Sequence, residues 1–143
     1  MHDRGVPGGG SEGRDRKRRP AWPASRNGRL GEEIAALYLQ LVGYEILARN
    51  ARCGPLEVDL IARQGRTVAF VEVRMRSSRS HGRPEETVRW AKRRNILRAA
   101  SVLLPRLGLP PETRARLDVI AVEREALGLR LRHLPGWMGP ETR

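Results

Sequence analysis

Two apolar runs joined by a very short connection constrain this chain most. Residues 56–62 and 67–74 flank Gln64-Gly65-Arg66. Such runs, rich in Val, Ile and Leu and parted by a glycine turn, read as strands, and so short a link predicts a hairpin. Upstream, residues 44–48 predict a first strand, ended by a turn around Cys53, Gly54 and Pro55. Residues 117–122 predict a fourth strand and residues 127–134 a fifth.

Helical patterns lie on either side of the three leading strands. Between residues 29 and 42, Leu30, Ile34, Leu37 and Leu41 recur at spacings of four, three and four, so they share one face. Asn27 suits the cap of this helix, Glu32 and Glu33 suit its positive end, and Gly43 suits its stop. Residues 77–83 read as a polar loop, and Pro84 as the start of a second helix. That helix is expected to reach about Leu104, with Val88, Ala91, Ile96, Ala99 and Leu103 on one side, and to break across residues 105–111. The order αβββαββ predicts an α/β fold, a mixed four- to five-stranded sheet flanked by helices.

The 143 residues suffice for one ordinary domain. Residues 1–27, rich in Gly, Pro, Arg and Ser, cannot bury enough apolar area to fold and are expected to be a disordered basic tail. Within it, Arg16-Lys17-Arg18-Arg19 is either a phosphate-binding arm or a solubilising charge run. The folded domain is expected over residues 28–135, with 136–143 frayed. The formal net charge is +12, of which +8 lies beyond residue 27. A basic folded domain favours a polyanion, most often nucleic acid. One cysteine, Cys53, allows no internal disulfide, and His2, His81 and His133 lack metal-ligand spacing. No apolar run is long enough to span a bilayer, and no hydrophobic stretch follows the basic N-terminus; a cytoplasmic protein without a membrane partner is expected.

Chemistry is suggested by acids placed inside apolar strands. Asp59 lies between Val58 and Leu60, and Glu72 between Val71 and Val73. A carboxylate in such surroundings costs free energy unless it is paired or metal-bound. Alternation places Glu57 with Asp59 on one strand face, and Glu72 with Arg74 on another. Adjacent strands are about 5 Å apart, close enough for two carboxylates to share a divalent cation. Magnesium takes hard oxygen ligands of this kind together with waters and substrate phosphate. Arg74 stays protonated, so its role would be electrostatic. The structural alternative makes Glu57 and Arg74 ordinary strand-surface residues and Glu72–Arg74 an edge ion pair.

Several segments together carry a family resemblance: Gly31-Glu32, Ala35, Tyr38-Leu39, Gly43-Tyr44, Ile46-Leu47, Arg49-Asn50, residues 57–62, residues 70–74 and Arg116-Leu117-Asp118-Val119. Over roughly residues 28–135 the chain resembles the YraN-like family of predicted bacterial endonucleases. That family is similar to Holliday-junction resolvases, which have the PD-(D/E)xK, restriction-endonuclease-like core. The resemblance implies metal-binding roles for Asp59, Glu72 and Glu32, and Glu57 matches a further family acid. Arg74 stands where the core usually has lysine, and that exchange is not conservative. Lys92 resembles a lysine of the family; only Lys17 and Lys92 are lysine among 28 basic residues. It either contacts phosphate or water in place of the strand lysine, or is a solvated helix charge.

Two functional readings follow. One is a Mg2+- or Mn2+-dependent endonuclease hydrolysing phosphodiester bonds in branched DNA, with Glu32, Asp59, Glu72 and Arg74 catalytic and a homodimer implied by resemblance to resolvases. The other is a nucleic-acid-binding accessory protein on a catalytically silenced nuclease fold. In both, Arg76, Arg83, Lys92 and Arg93 are expected to bind nucleic acid. A weaker reading is a protein scaffold acting through residues 77–83 or the tail. Trp90, among basic residues, stacks on a base or is a half-buried core residue. Gly82-Arg83 is a substrate flap or a plain connector, and Trp137 packs internally or at a dimer interface.

Overall fold

A computed structural model describes residues 26–77, 83–88 and 90–137. The N-terminal charge run, His81, Gly82, Arg89 and residues 138–143 lie outside them. The chain runs α1 (Arg26–Leu41), β1 (Glu45–Cys53), β2 (Leu56–Gln64), β3 (Thr67–Ser77), a 3-10 turn (Pro84–Thr87), α2 (Trp90–Arg106), β4 (Arg114–Glu125) and β5 (Gly128–Leu134). The five strands form one sheet in sequence order. Neighbours are antiparallel except β3 and β4, which run parallel with α2 in the crossover between them. The expected αβββαββ mixed sheet is therefore the fold. No helix among the described residues is long and apolar enough to cross a membrane.

Each helix covers one sheet face. α1 lays Ala35, Ala36 and Leu39 on Leu60, Ala62, Ala69, Val71, Ile120 and Val122. α2 lays Ile96, Ala99, Ala100 and Leu103 on Val58, Ile61, Val68, Phe70 and Leu117. Alternation along β3 and β4 supplies both layers, since a strand buried on both faces must be apolar at nearly every position.

The helix details depart from the sequence expectation. The leucine face of α1 is not the buried one: Leu37 is 60% and Leu41 86% exposed. The buried face is made of small residues because α1 approaches the sheet closely. At Gly31 an added Cβ would stand 3.1 Å from the Met75 Cβ. α1 also begins at Arg26, so Asn27 is inside its first turn rather than at its cap, and Glu32 and Glu33 fall beyond the first turn. The second helix is split. Pro84 opens a 3-10 turn, and Val88 leaves the helix to pack with Val119 and Trp137. Ala91 is exposed. Pro105 sits within the last turn of α2 instead of breaking it. β1 extends past its expected end to Cys53, with a register shift between Ile46 and Ala48.

The 3-10 turn is anchored by charge. Arg132 donates to both oxygens of buried Glu85 at 2.5 and 2.7 Å and to Glu123 at 2.9 Å. Trp137 is buried, and its N–H donates to Leu117 at 2.9 Å, so it packs within the chain and folded structure continues past residue 135.

Candidate functional site

The site forms where two strands part. The β2–β3 ladder ends at Leu60 opposite Val71. Beyond it, β2 stays paired with β1 down to Leu56, while β3 stays paired with β4 out to Ser77. Asp59 and Glu72 are the first residues past the fork. The Asp59 carboxylate takes over the lost backbone bond by accepting from the Val73 N–H at 2.8 Å. A two-residue shift of either acid would place it within the ladder or away from the fork.

Glu72 is 2% exposed. Its Oε1 receives Lys92 Nζ at 2.7 Å and Arg74 Nη2 at 3.0 Å. Its Oε2 is buried and has no hydrogen-bond partner among the described residues, and neither has Arg74 Nε. An unsatisfied carboxylate oxygen in a dry setting is costly and unusual in a purely structural ion pair. Burial, followed by the nearby charge of Glu72, pushes the Asp59 carboxyl up to about 8, against the opposing Val73 N–H and Lys92. Glu32, on α1, is raised too, first by burial and then by the charges of Glu57 and Glu72. Its carboxylate hydrogen-bonds Asn50, which opposes the rise.

Asn50 is the residue that sequence reasoning quoted only within a motif. It lies on β1 between Arg49, opposite Leu60, and Ala51, opposite Val58, so it sits across from Asp59. Its φ of 48° is the positive value among the described non-glycine residues. Asn tolerates this left-handed backbone better than most side chains, yet such outliers still cost of order 1 kcal/mol and concentrate at functional sites.

The fold thus brings together Asp59, Glu72, Arg74 and Lys92, with Glu32 within electrostatic reach. Glu57 touches this group only through its charge on Glu32; it is exposed and pairs across the β1–β2 hairpin with Arg52 at 3.7 Å. Arg76 is half-buried in β3 opposite Glu123 of β4. Arg83 is exposed and lines a depression with Glu123, Arg130 and Arg132. Arg93 lies over the exposed Trp90 ring, its guanidinium carbon 5.3 Å from the ring centre.

Among the described residues no three His, Cys, Asp or Glu side chains gather closely enough to hold a metal ion between them. The donor set nonetheless suits a hard divalent cation that keeps most of its waters, since one or two carboxylates are enough for that. The bare Oε2 of Glu72 is the observation that fits. A three-carboxylate cage does not form, which departs from the convergence of Glu32, Asp59 and Glu72 expected above.

A second polar cluster escaped sequence reasoning. Asp118, fully buried, accepts both Nε (2.7 Å) and Nη2 (2.8 Å) of Arg116, His133 Nε2 (2.7 Å) and the Gly136 N–H (3.1 Å). Arg116 also donates to the Tyr44 hydroxyl at 2.8 Å, and Tyr38 pairs with His133 Nδ1 at 3.1 Å. Every Asp118 oxygen is satisfied, which marks a brace tying β4 and β5 to α1 rather than a reactive site.

Comparison with known proteins adds a family. The model of the uncharacterised protein family UPF0102 matches residues 31–122. A UPF0102 protein of Syntrophotalea carbinolica is 47% identical over 109 residues, covering 76% of this chain and 88% of that one. One from Symbiobacterium thermophilum is 47% identical over 98 residues, covering 68% and 82%. One from Chlorobium chlorochromatii is 48% identical over 100 residues, covering 70% and 76%.

Proposed function

This chain belongs to the uncharacterised protein family UPF0102, and we propose that within it this protein is a divalent-metal-dependent endonuclease hydrolysing nucleic-acid phosphodiester bonds. The observation that carries the reading is Glu72: nearly inaccessible, held through one oxygen by two cations, its other oxygen without a partner among the described residues. Beside Asp59 at the strand fork, that oxygen is where a divalent cation finds its donors.

Asp59 and Glu72 would hold the cation, with Glu32 as the nearest further carboxylate. A hard divalent cation supplies Lewis acidity toward a phosphoryl oxygen. The remaining work belongs to the chain. The Val73 N–H fixes Asp59, and Lys92 and Arg74 fix Glu72, so the carboxylates are oriented before substrate arrives. Arg74 cannot accept a proton; its guanidinium offsets charge developing on the phosphoryl oxygens. Lys92, held on Glu72 from α2, would supply a compact ammonium toward phosphate or water in place of the strand lysine for which Arg74 stands. The basic surface collects the polyanion. A four-way junction offers two cuts, so the resemblance to resolvases carries with it a symmetric dimer as the working form.

A second reading, a binding protein on a silenced nuclease core, is favoured by one observation. Arg74 and Lys92 both already neutralise Glu72, and among the described residues no three ligating side chains gather. One assay separates the two: cleavage of labelled four-way junction, flap and linear duplex DNA with magnesium or manganese. Metal-dependent cutting that disappears in Asp59→Ala and in Glu72→Gln is expected. Cutting unchanged in both variants overturns the site. No cutting by the wild type, but cutting by Arg74→Lys, establishes the silenced core.

A further inference from the structure

The exposed face of α2 carries something that hydrolysis at Glu72 does not require. Trp90, the first residue of α2, is 45% exposed. Leu97, two turns on, is 41% exposed. Positions 90, 93, 94 and 97 share one side of a helix. Arg94 and Arg98 on this stretch are exposed. A large indole left this open to water in a chain with aromatic residues at only 4% is conspicuous.

The indole is also held in place. The Arg93 guanidinium lies 5.3 Å from its ring centre, and Arg93 Nε donates to the Trp137 carbonyl at 3.5 Å. Trp137 is itself buried against Val88 and Val119. A ring fixed in this way loses little side-chain freedom on binding. Two residues along the same helix, Lys92 reaches Glu72. The platform and the carboxylate site therefore share one rigid element.

We propose that Trp90 is a stacking platform for an unpaired nucleotide, so that the substrate is DNA with unpaired bases close to the scissile phosphate rather than continuous duplex. The inference deepens the endonuclease reading and rests on it for the phrase "scissile phosphate"; the binding preference itself does not require cleavage. A base buried in a duplex stack offers only its edges to a groove, whereas an unpaired base offers its whole face. Aromatic rings take that face with little regard to sequence, while cations along the same helix track the backbone. Arg94 and Arg98, both exposed, supply those cations, and their charge complements a phosphate strand rather than an apolar partner.

The test is binding without divalent metal, so that catalysis cannot intrude. Fluorescence anisotropy compares a duplex carrying a short unpaired stretch with the same duplex fully paired. Wild type is expected to favour the unpaired probe. Trp90→Ala is expected to lose roughly 5- to 150-fold on that probe, the range that one base–aromatic stack spans. The paired probe should change little, and Trp90→Phe should keep most of the preference. With 2-aminopurine in the unpaired stretch, its emission should change on binding wild type and not on binding Trp90→Ala. Equal losses on both probes, or a preference that survives in Trp90→Ala, overturns the inference and leaves the endonuclease reading intact. The converse is also separable: preference lost in Trp90→Ala, from a protein that never cuts, upholds the platform and sinks the nuclease.

Discussion

At the scale of single residues, the proposed cation site and the stability of the fold oppose each other at the strand fork. Asp59 is half-buried beside Glu72, and desolvation followed by the Glu72 charge pushes its carboxyl up to about 8, so its ionised form is a burden on the fold. Asp59→Asn keeps an oxygen to accept the Val73 N–H and removes the repulsion. In metal-free neutral buffer it should gain about 1 kcal/mol, or several degrees in melting temperature, while losing cleavage. A lower melting temperature would mean that Lys92 already compensates the charge. Asp118 behaves in the opposite sense. Burial would raise its carboxyl, but hydrogen bonds from His133, Arg116 and the Gly136 N–H outweigh that and hold it below the ordinary value. A depressed carboxyl contributes stability that is complete above its unfolded pKa, near 3.9, and is lost as pH falls through the folded value. Urea midpoints followed downward from pH 7 should therefore drop below about pH 4. Asp118→Asn should be less stable at pH 7, by about 3 kcal/mol because the Arg116 charge is left unpaired, and should show a shallower acid limb. An unchanged acid limb would remove Asp118 from the brace.

At the scale of elements, the strands and the buried side of α2 (Ile96, Ala99 and Leu103) were legible in the sequence, and the buried face of α1 was not. Alternation and the Gln64-Gly65-Arg66 turn define a hairpin locally, and the β2–β3 ladder runs to Gln64 opposite Thr67. The face of α1 depends on how closely it approaches the sheet, which no local pattern reports. Leu30, Ile34, Leu37 and Leu41 make the more apolar stripe, yet Gly31, Ala35, Ala36 and Leu39 are the residues that fit. The split before α2 was hidden for a similar reason, since Val88 answers to Val119 of β4 and Glu85 to Arg132 of β5, 47 residues later. The same close approach yields a prediction. Gly31→Val forces side-chain bulk toward the Met75 Cβ, where even a Cβ stands at 3.1 Å. The strain should cost about 1–3 kcal/mol. Because Glu32 is the next residue, α1 should also carry that carboxylate away from the fork, so cleavage should fall more than the loss of folded protein explains. Activity that only tracks the folded fraction would show that Glu32 contributes nothing to the reaction.

At the scale of the whole molecule, charge and site arise from different kinds of information. Asp59 and Glu72 were legible because a carboxylate amid valine and leucine is costly wherever the chain folds. Lys92 was ambiguous until α2 was placed over β3, and Asn50 became visible only through its backbone and its bond to Glu32. The net charge of +12 needs no fold to be read, but which cations act on a strand does. Arg116 and Arg132 are spent on buried carboxylates, whereas Arg94 and Arg98 are exposed on α2. Nucleic-acid affinity should accordingly fall linearly in log–log form with salt, by about a hundredfold between 50 and 200 mM if some four phosphates are engaged. Replacing Arg94 and Arg98 together by Ala should flatten that slope by about two units, one for each lost phosphate contact, without changing the preference for unpaired nucleotides. A slope that stays the same in the double variant, but collapses when residues 1–25 are removed, would assign the electrostatic contact to the N-terminal charge run. In that case α2 would supply only the indole, and the folded domain would recognise the shape of its substrate without being the part that captures it.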